Sequence, residues 1–283
     1  MQTPNFKLSN GSYKVWKFPS GEIQTQISLT STYVQIITGS VLCSDHLIEL
    51  LQLVEAIKYE DKDCNIELVM PYCSYSRQDR RCNSGESFSL KVFANLINSC
   101  NFYSVTTYDN HSDVATALIN NCKNMSVFDI MYNRFNEVSS YDFLVSPDAG
   151  ANKKVQYLAT NNHTPMIRAD KIRDTLSGDI THTEVFTSAE QLDGATVLIV
   201  DDICAGGRTF IELAKAIKKI QPNCTIHLYV THMFATYGLD AMYRSGISNF
   251  ITTDSVLSEA TKYSAKSFAE LAGIDLILEV INL

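Results

Sequence analysis

The chain is 283 residues long, enough for one large or two medium domains, each with its own core. Its formal net charge is −8 and its basic residues are scattered, which argues against a nucleic-acid binder and leaves any phosphate ligand to local positive sites. Eight cysteines without a CxxC pair, an opening "MQTPNFKLSNG" without a leader pattern, and no apolar run near twenty residues predict a reduced, cytoplasmic protein without a membrane span.

In chain order, "LCSDHLIELLQLVEAIKYED" predicts a helix with Ser44 as N-cap and Leu47, Leu50, Leu51 and Val54 on one face. "NIELVMPY" reads as a buried strand, and "PYCSYSRQDRR" sets Arg77, Gln78, Asp79, Arg80 and Arg81 at its C-terminal end. "SLKVFANLINSC" predicts a helix with Val92, Phe93, Leu96 and Ile97 inward. "FYSVTTYDNH" predicts a strand whose extended end puts Asp109 and His111 on one side, a reasonable partner for a metal-bound phosphate. After about residue 141 the grammar restarts: strand "YDFLVSP", turn "DAGANKK" with Asp148 and Gly150, a helix to about Thr160, and strand "TPMIRAD". "RADKIRD" then predicts a polar stretch without an apolar face. Strand-helix alternation implies parallel sheets, hence an α/β chain of two tandem domains, 1–141 and 142–283. The last strand or helix is free to pack back on the first domain.

"VLIVDDICAGGRTFIELAKAIKKI", residues 197–220, is the most informative stretch. Val197 to Val200 reads as a strand buried on both faces, and from Thr209 the positions Phe210, Leu213, Ala214 and Ile217 recur at helical spacing. The loop between them therefore joins a strand's C-terminal end to a helix N-terminus, where α/β sheets bind anions. Gly206 and Gly207 allow close backbone approach, but Asp201 and Asp202 would repel a bare phosphate, and no GxxxxGK[ST] is present. A sugar phosphate satisfies both halves, its diol meeting the carboxylates and its phosphate the loop. Cys204 reads as a small filler rather than a nucleophile, since no nearby histidine activates it.

The order of these motifs, from about Phe18 onward, resembles the ribose-phosphate diphosphokinase (PRPP synthetase) family. "FPSGE" resembles its adenine loop, "YSRQDRR…SLKVFANLI" its ATP run, "DNH" its Asp-Leu-His element and "SPDAG" its Ser-Pro-Asp-x-Gly. "DKIR" resembles its flexible catalytic loop, "VDDICAGGRT" its ribose phosphate loop, and "YVTHMF" and "ITTDSV" its Thr-His and Thr-Asn-Ser segments. The resemblance implies two phosphoribosyltransferase-type, Rossmann-like domains, an ATP-side domain followed by a ribose-5-phosphate domain. It implies transfer of a diphosphoryl group from ATP to ribose 5-phosphate, giving PRPP and AMP. It also implies catalytic roles for Lys171 and Arg173, and ATP contacts from Phe18, Ser20, Glu22, Arg77, Gln78, Asp79 and His111. Ribose 5-phosphate falls to Asp148, Asp201, Asp202, Ala205, Gly206, Gly207, Arg208 and Thr209, and Mg²⁺ to His111, Asp148 and, more weakly, Asp109. Because the adenine loop reaches a neighbour's site, a homo-oligomer built from dimers is implied.

The sequence also departs from the family. Ser20 stands for Asp or Asn, Ala205 for an acid, and Arg208 for glycine. Where regulated members carry effector-binding arginines, "CNSGES" and "ISLTSTYVQ" hold no basic residue. Two alternatives stay open: a phosphoribosyltransferase that consumes PRPP, and a non-catalytic regulatory homologue, which Ala205 keeps open and retention of Lys171, Arg173, His111 and Asp148 opposes.

Overall fold

The protein is described by a computed structural model covering residues 3–31, 33–131, 140–173, 180–256 and 277–283. It divides into two compact units, Met1–Ser126 and Val127–Leu283. Among the described residues, no helix is long and apolar enough to cross a membrane.

The first unit is built on a five-stranded sheet of β1 (Lys7–Leu8), β4 (Val34–Thr38), β5 (Asn65–Met70), β6 (Ser104–Tyr108) and β7 (Cys122–Met125), in that order. β4 to β7 run parallel and β1 pairs antiparallel with β4. β2 (Gly11–Lys17) and β3 (Ile23–Leu29) form a separate antiparallel hairpin. The helices are α1 (Ser44–Glu60), α2 (Ser89–Ser99) and α3 (Asp113–Leu118). Ile37, Leu50, Ile57, Leu68, Phe93 and Ile97 sit in its core.

Two sequence expectations change here. Cys43, without a side-chain hydrogen bond, caps α1, so Ser44 is its first helical residue. On α2 the buried stripe is Leu90, Phe93, Ala94 and Ile97, whereas Val92 and Leu96 are 55% and 37% exposed. The adjacent pairs Val92-Phe93 and Leu96-Ile97 cannot both enter one stripe at 3.6 residues per turn, and Leu90 completes the i, i+3, i+4, i+7 set instead.

The second unit starts with α4 (Val127–Met131), ahead of the 141/142 boundary expected from sequence; its Val127 and Met131 are buried against Leu144 and Val155. A seven-stranded sheet follows, ordered β10 (Ile180–Val185), β9 (Met166–Arg173), β8 (Phe143–Ser146), β11 (Thr196–Cys204), β12 (Thr225–Met233), β13 (Ile247–Thr253), β14 (Ile277–Ile281). All pairs are parallel except β10 with β9. The closing strand β14 thus belongs to this sheet, paired with β13. The remaining helices are α5 (Asn152–Asn162), α6 (Ala189–Leu192), α7 (Arg208–Ile220) and α8 (Leu239–Arg244).

Side-chain alternation explains the apolar run in β11. Val197 and Ile199 meet Phe210, Leu213 and Ile217 of α7 on one face, while Leu198 and Val200 meet Val155 and Leu158 of α5 on the other. All of Val197 to Val200 are 0% exposed, each contributing about 1.5–3 kcal/mol of burial. β11 also runs past the expected end of its strand, pairing Asp201 with Val230 and Cys204 with Met233. Similarly, the "DKIR" segment lies within β9 rather than in a loop: Asp170, Lys171 and Ile172 pair with Glu184, Thr183 and His182 of β10. Backbone pairing with an added antiparallel strand gives this polar segment the hydrogen bonds its side-chain pattern did not announce.

Candidate active site

In the second unit, β8 and β11 are neighbours, pairing Val145 with Ile199, so their C-terminal ends emerge side by side. After β8, Asp148 folds back on its own loop, Oδ1 accepting from the N–H of Gly150 at 3.0 Å and of Ala151 at 3.2 Å. After the apolar run of β11, the Asp202 N–H donates to Asp201 Oδ1 at 2.9 Å. Asp202 is 4% exposed, and its Oδ2 lies 3.9 Å from Nζ of Lys154 on α5. Burial first, then the charge and the side-chain hydrogen bond of Asp202, and also Asp148, hold the Asp201 carboxyl well above the ordinary carboxylate value, against the opposing pull of the Asp202 N–H. Asp148, Asp201 and Asp202 therefore form one electrostatic group, with Lys154 at its edge. Two adjacent carboxylates in a desolvated strand end resist carrying two charges, and a hydroxyl-rich or cationic ligand relieves them.

The loop from β11 to α7 continues directly from this pair. Gly207, at φ 89°, is the N-cap of α7, whose first amides are free of the helix ladder and suit an anion. A close approach is required here, and the nearest partners lie within the protein. A Cβ on Gly206 would stand 2.5 Å from Tyr237 Cε2, and one on Gly207 2.8 Å from Met242 Sδ. The stretch after β12 props the loop: the N–H of Phe234 donates to Cys204 O at 2.9 Å and that of Thr236 to Ala205 O at 2.8 Å. Ala205 thus contributes through its carbonyl. Arg208 is exposed and Thr209 half-buried. Cys204 is fully buried, its Sγ 3.9 Å from Met242 Sδ, and burial pushes its thiol up to about 12, as suits a filler.

Lys171 and Arg173 lie on β9, opposite Thr183 and Ile180, with their side chains outside the described residues.

In the first unit, "FPSGE" is the tip of the β2–β3 hairpin. The Phe18 N–H donates to Glu22 O at 2.8 Å and Ser20 Oγ to Glu22 Oε2 at 2.6 Å. The Phe18 ring is 46% exposed and meets Trp16 edge-on at 6.2 Å. Arg77, Gln78 and Asp79 follow β5, where the Gln78 backbone accepts from Leu90 N at 3.3 Å and so ties the loop to α2. Arg77 and Gln78 are exposed and Asp79 is half-buried. β6 is the next strand, so Asp109 and His111 emerge beside that loop.

They do not share one side of an extended segment. β6 ends at Tyr108, and Asp109 takes φ 43° with its N–H donating to Met125 O at 2.7 Å. This left-handed turn, which aspartate tolerates better than most residues, buries Asp109 to 2% exposure and leaves His111 exposed. Asn110, between them, is clamped: Nδ2 donates to Thr107 Oγ1 at 2.9 Å and Thr116 Oγ1 at 3.3 Å, and its backbone N–H to Asn124 Oδ1 at 3.0 Å. Among the described residues, no three His, Cys, Asp or Glu side chains are grouped to hold a metal ion. Lys154, Asn110 and Tyr237 are the site-proximal residues that sequence reasoning did not single out.

Comparison with known proteins gives these features a family. Residues 4–100 match the N-terminal domain of ribose phosphate pyrophosphokinase, and residues 125–242 the phosphoribosyl transferase domain. A ribose-phosphate pyrophosphokinase of Sulfurisphaera tokodaii is 27% identical over 251 residues, covering 87% of this chain and 84% of the relative. One from Thermosipho africanus is 27% identical over 271 residues, covering 92% and 84%. The fold matches the crystal structure of phosphoribosylpyrophosphate synthetase from Mycobacterium smegmatis with TM-score 0.77 at 17% identity, over 96% of this chain and 86% of that one. With two adjoining family domains, curated relatives along most of its length and the same two-domain α/β fold, the chain belongs to the ribose-phosphate diphosphokinase (PRPP synthetase) family.

Proposed function

We propose that the chain is a ribose-phosphate diphosphokinase, making PRPP and AMP from ATP and ribose 5-phosphate. The observation that carries this reading is the Asp201–Asp202 pair running straight into the Gly206–Gly207 turn and the α7 N-terminus, in a chain that also matches the N-terminal domain of ribose phosphate pyrophosphokinase. A plain phosphoribosyltransferase needs the first feature and not the second.

In the proposed reaction, O1 of ribose attacks the β-phosphorus of ATP. The O1–Pβ bond forms, the Pα–O–Pβ bridge breaks with its oxygen leaving on AMP, and the O1 proton passes to solvent. Asp202 accepts from the ribose hydroxyls, and Asp201, with its raised affinity for a proton, donates or accepts as the sugar requires. The amides from Ala205 to Thr209 hold the 5-phosphate, with Arg208 adding a charge-assisted contact. Phe18, Ser20 and Glu22 frame the adenine from a neighbouring subunit, while Arg77, Gln78, Asp79 and His111 hold the nucleotide. Lys171 and Arg173 neutralise the transferring diphosphoryl group, the kind of contribution on which phosphoryl transfer depends. Mg²⁺, when bound, supplies charge neutralisation on the diphosphoryl oxygens. A cation would relieve the crowding of Asp148, Asp201 and Asp202, and Mg²⁺ keeps waters and shares substrate phosphates. In this reading His111 and Asp148 would hold the ion and its waters, with Asp109 the weaker candidate.

Incubation with Mg-ATP and ribose 5-phosphate should yield AMP and PRPP in equal amounts. Consumption of added PRPP with a base, releasing pyrophosphate, would instead assign a phosphoribosyltransferase. No turnover with either substrate set would leave the non-catalytic homologue, the reading that Ala205 keeps open.

A further inference from the structure

We propose that Tyr237 is a positioning residue of the sugar-phosphate loop, its ring serving as the side wall that fixes Gly206; this rests on the reading of Asp201 to Thr209 as the ribose-5-phosphate site. The loop between β11 and α7 has little of its own to hold it. Ala205 offers one methyl group, and Gly206 and Gly207 offer no side chain. What props the loop comes from the stretch after β12, which contributes two kinds of contact. Backbone bonds from Phe234 and Thr236 fix the carbonyls of Cys204 and Ala205, and Thr236 Oγ1 adds a second donor to Ala205 O at 3.3 Å. Beyond Ala205 the prop is steric, with Tyr237 against Gly206 and Met242 against Gly207.

These two steric contacts differ in kind. Met242 is 0% exposed and belongs to the unit's core, so its contact with Gly207 is ordinary packing. Tyr237 is 73% exposed, so burial of its own surface does little to hold it there. Its edge nevertheless lies so close that a methyl group on Gly206 would overlap both Cδ2 and Cε2. The backbone turns sharply to present it: Ala235 and Gly238 have φ 46° and 81°, and the Gly238 N–H closes the turn onto Ala235 O at 2.8 Å. An alanine in the left-handed region is strained, and two residues on, a bulky, solvent-exposed aromatic lies against the glycine of an anion loop. The arrangement spends local strain on holding Gly206 in place, which is what an anion loop of backbone amides needs in order to bind without first being ordered.

Ribose 5-phosphate binding by calorimetry tests the assignment, with thermal unfolding measured on each variant. Wild type should bind, and Tyr237→Ala should weaken binding ~10-fold through lost preorganisation, while Tyr237→Phe, which keeps the ring, should stay within ~2-fold. ATP affinity and the melting temperature should move little in either. Gly206→Ala alone should weaken ribose 5-phosphate binding, and in the Tyr237→Ala background the same substitution should cost much less, because the overlapping ring is gone. Tyr237→Ala with wild-type affinity, or strictly additive Gly206→Ala and Tyr237→Ala effects, would overturn the positioning role. Tyr237→Ala that melts early and loses ATP and ribose 5-phosphate equally would overturn it too, in favour of a general structural role. Wild-type protein that binds no ribose 5-phosphate would instead remove the site reading on which the proposal rests.

Discussion

Asp201 sets stability against binding. Burial and the neighbouring Asp202 raise its proton affinity in the folded state, so between its ordinary and its raised value the folded chain holds a proton that the unfolded chain has released. Stability from this group is full below the ordinary carboxylate value and falls as pH rises through the raised one. Asp201→Asn should therefore melt higher at neutral pH, by about 2–4 °C for a gain of ~1 kcal/mol, while losing affinity for ribose 5-phosphate. Calorimetric melting with and without the sugar phosphate checks both halves. For the cations on β9, Lys171→Ala and Arg173→Ala should each lower kcat about a hundredfold, ~3 kcal/mol, with KM for ATP little changed, as steady-state kinetics would read. The acidic pair and the glycines were legible because strand, acids, loop and helix follow one another in the sequence. Lys154 and Tyr237 were not, since each acts on a residue far off in sequence, and the clamp around Asn110 was not, since it depends on the left-handed turn at Asp109 and on Asn124 of the next strand.

At the level of elements, the apolar strands and the α7 stripe were readable from period alone, and failures occurred where a partner decided the outcome. The "DKIR" segment has no apolar face, yet β10 pairs with it and makes it strand. α2 offered two overlapping apolar stripes, and the sheet selected the one containing Leu90. The glycines allow a sharper comparison. Gly21 and Gly207 have similar positive φ, 96° and 89°, but a Cβ at Gly21 meets nothing within 4 Å whereas one at Gly207 meets Met242. Gly21→Ala should cost only the left-handed strain, about 1–2 kcal/mol. Gly207→Ala should cost more in denaturant unfolding, because overlap with a core methionine adds to that strain, and it should also weaken sugar-phosphate binding. Equal costs would show that the Met242 contact gives way freely.

On the scale of the whole molecule, two α/β units were expected and two are found, since the strand-helix grammar that restarts in the sequence builds two separate sheets. If the β2–β3 hairpin completes a neighbour's nucleotide site, mixing an inactive Phe18→Ala, Glu22→Ala chain with an inactive Lys171→Ala chain should restore part of the activity through hybrid sites. Phosphate activation should be absent. The "CNSGES" loop that replaces a basic segment is organised by Glu86, which accepts from the N–H groups of Cys82 and Asn83 at 2.8 and 3.0 Å, so a carboxylate already takes the donors an anion would need. Sigmoidal dependence of rate on inorganic phosphate would contradict this. The central claim, diphosphoryl transfer to the sugar, is tested most directly by following the label from ATP carrying ³²P at the β-position, with ribose 5-phosphate and Mg²⁺ present. The account predicts that the label appears in PRPP while unlabelled AMP accumulates in equal amount. Label remaining in ADP, or in ATP that is never consumed, would contradict it.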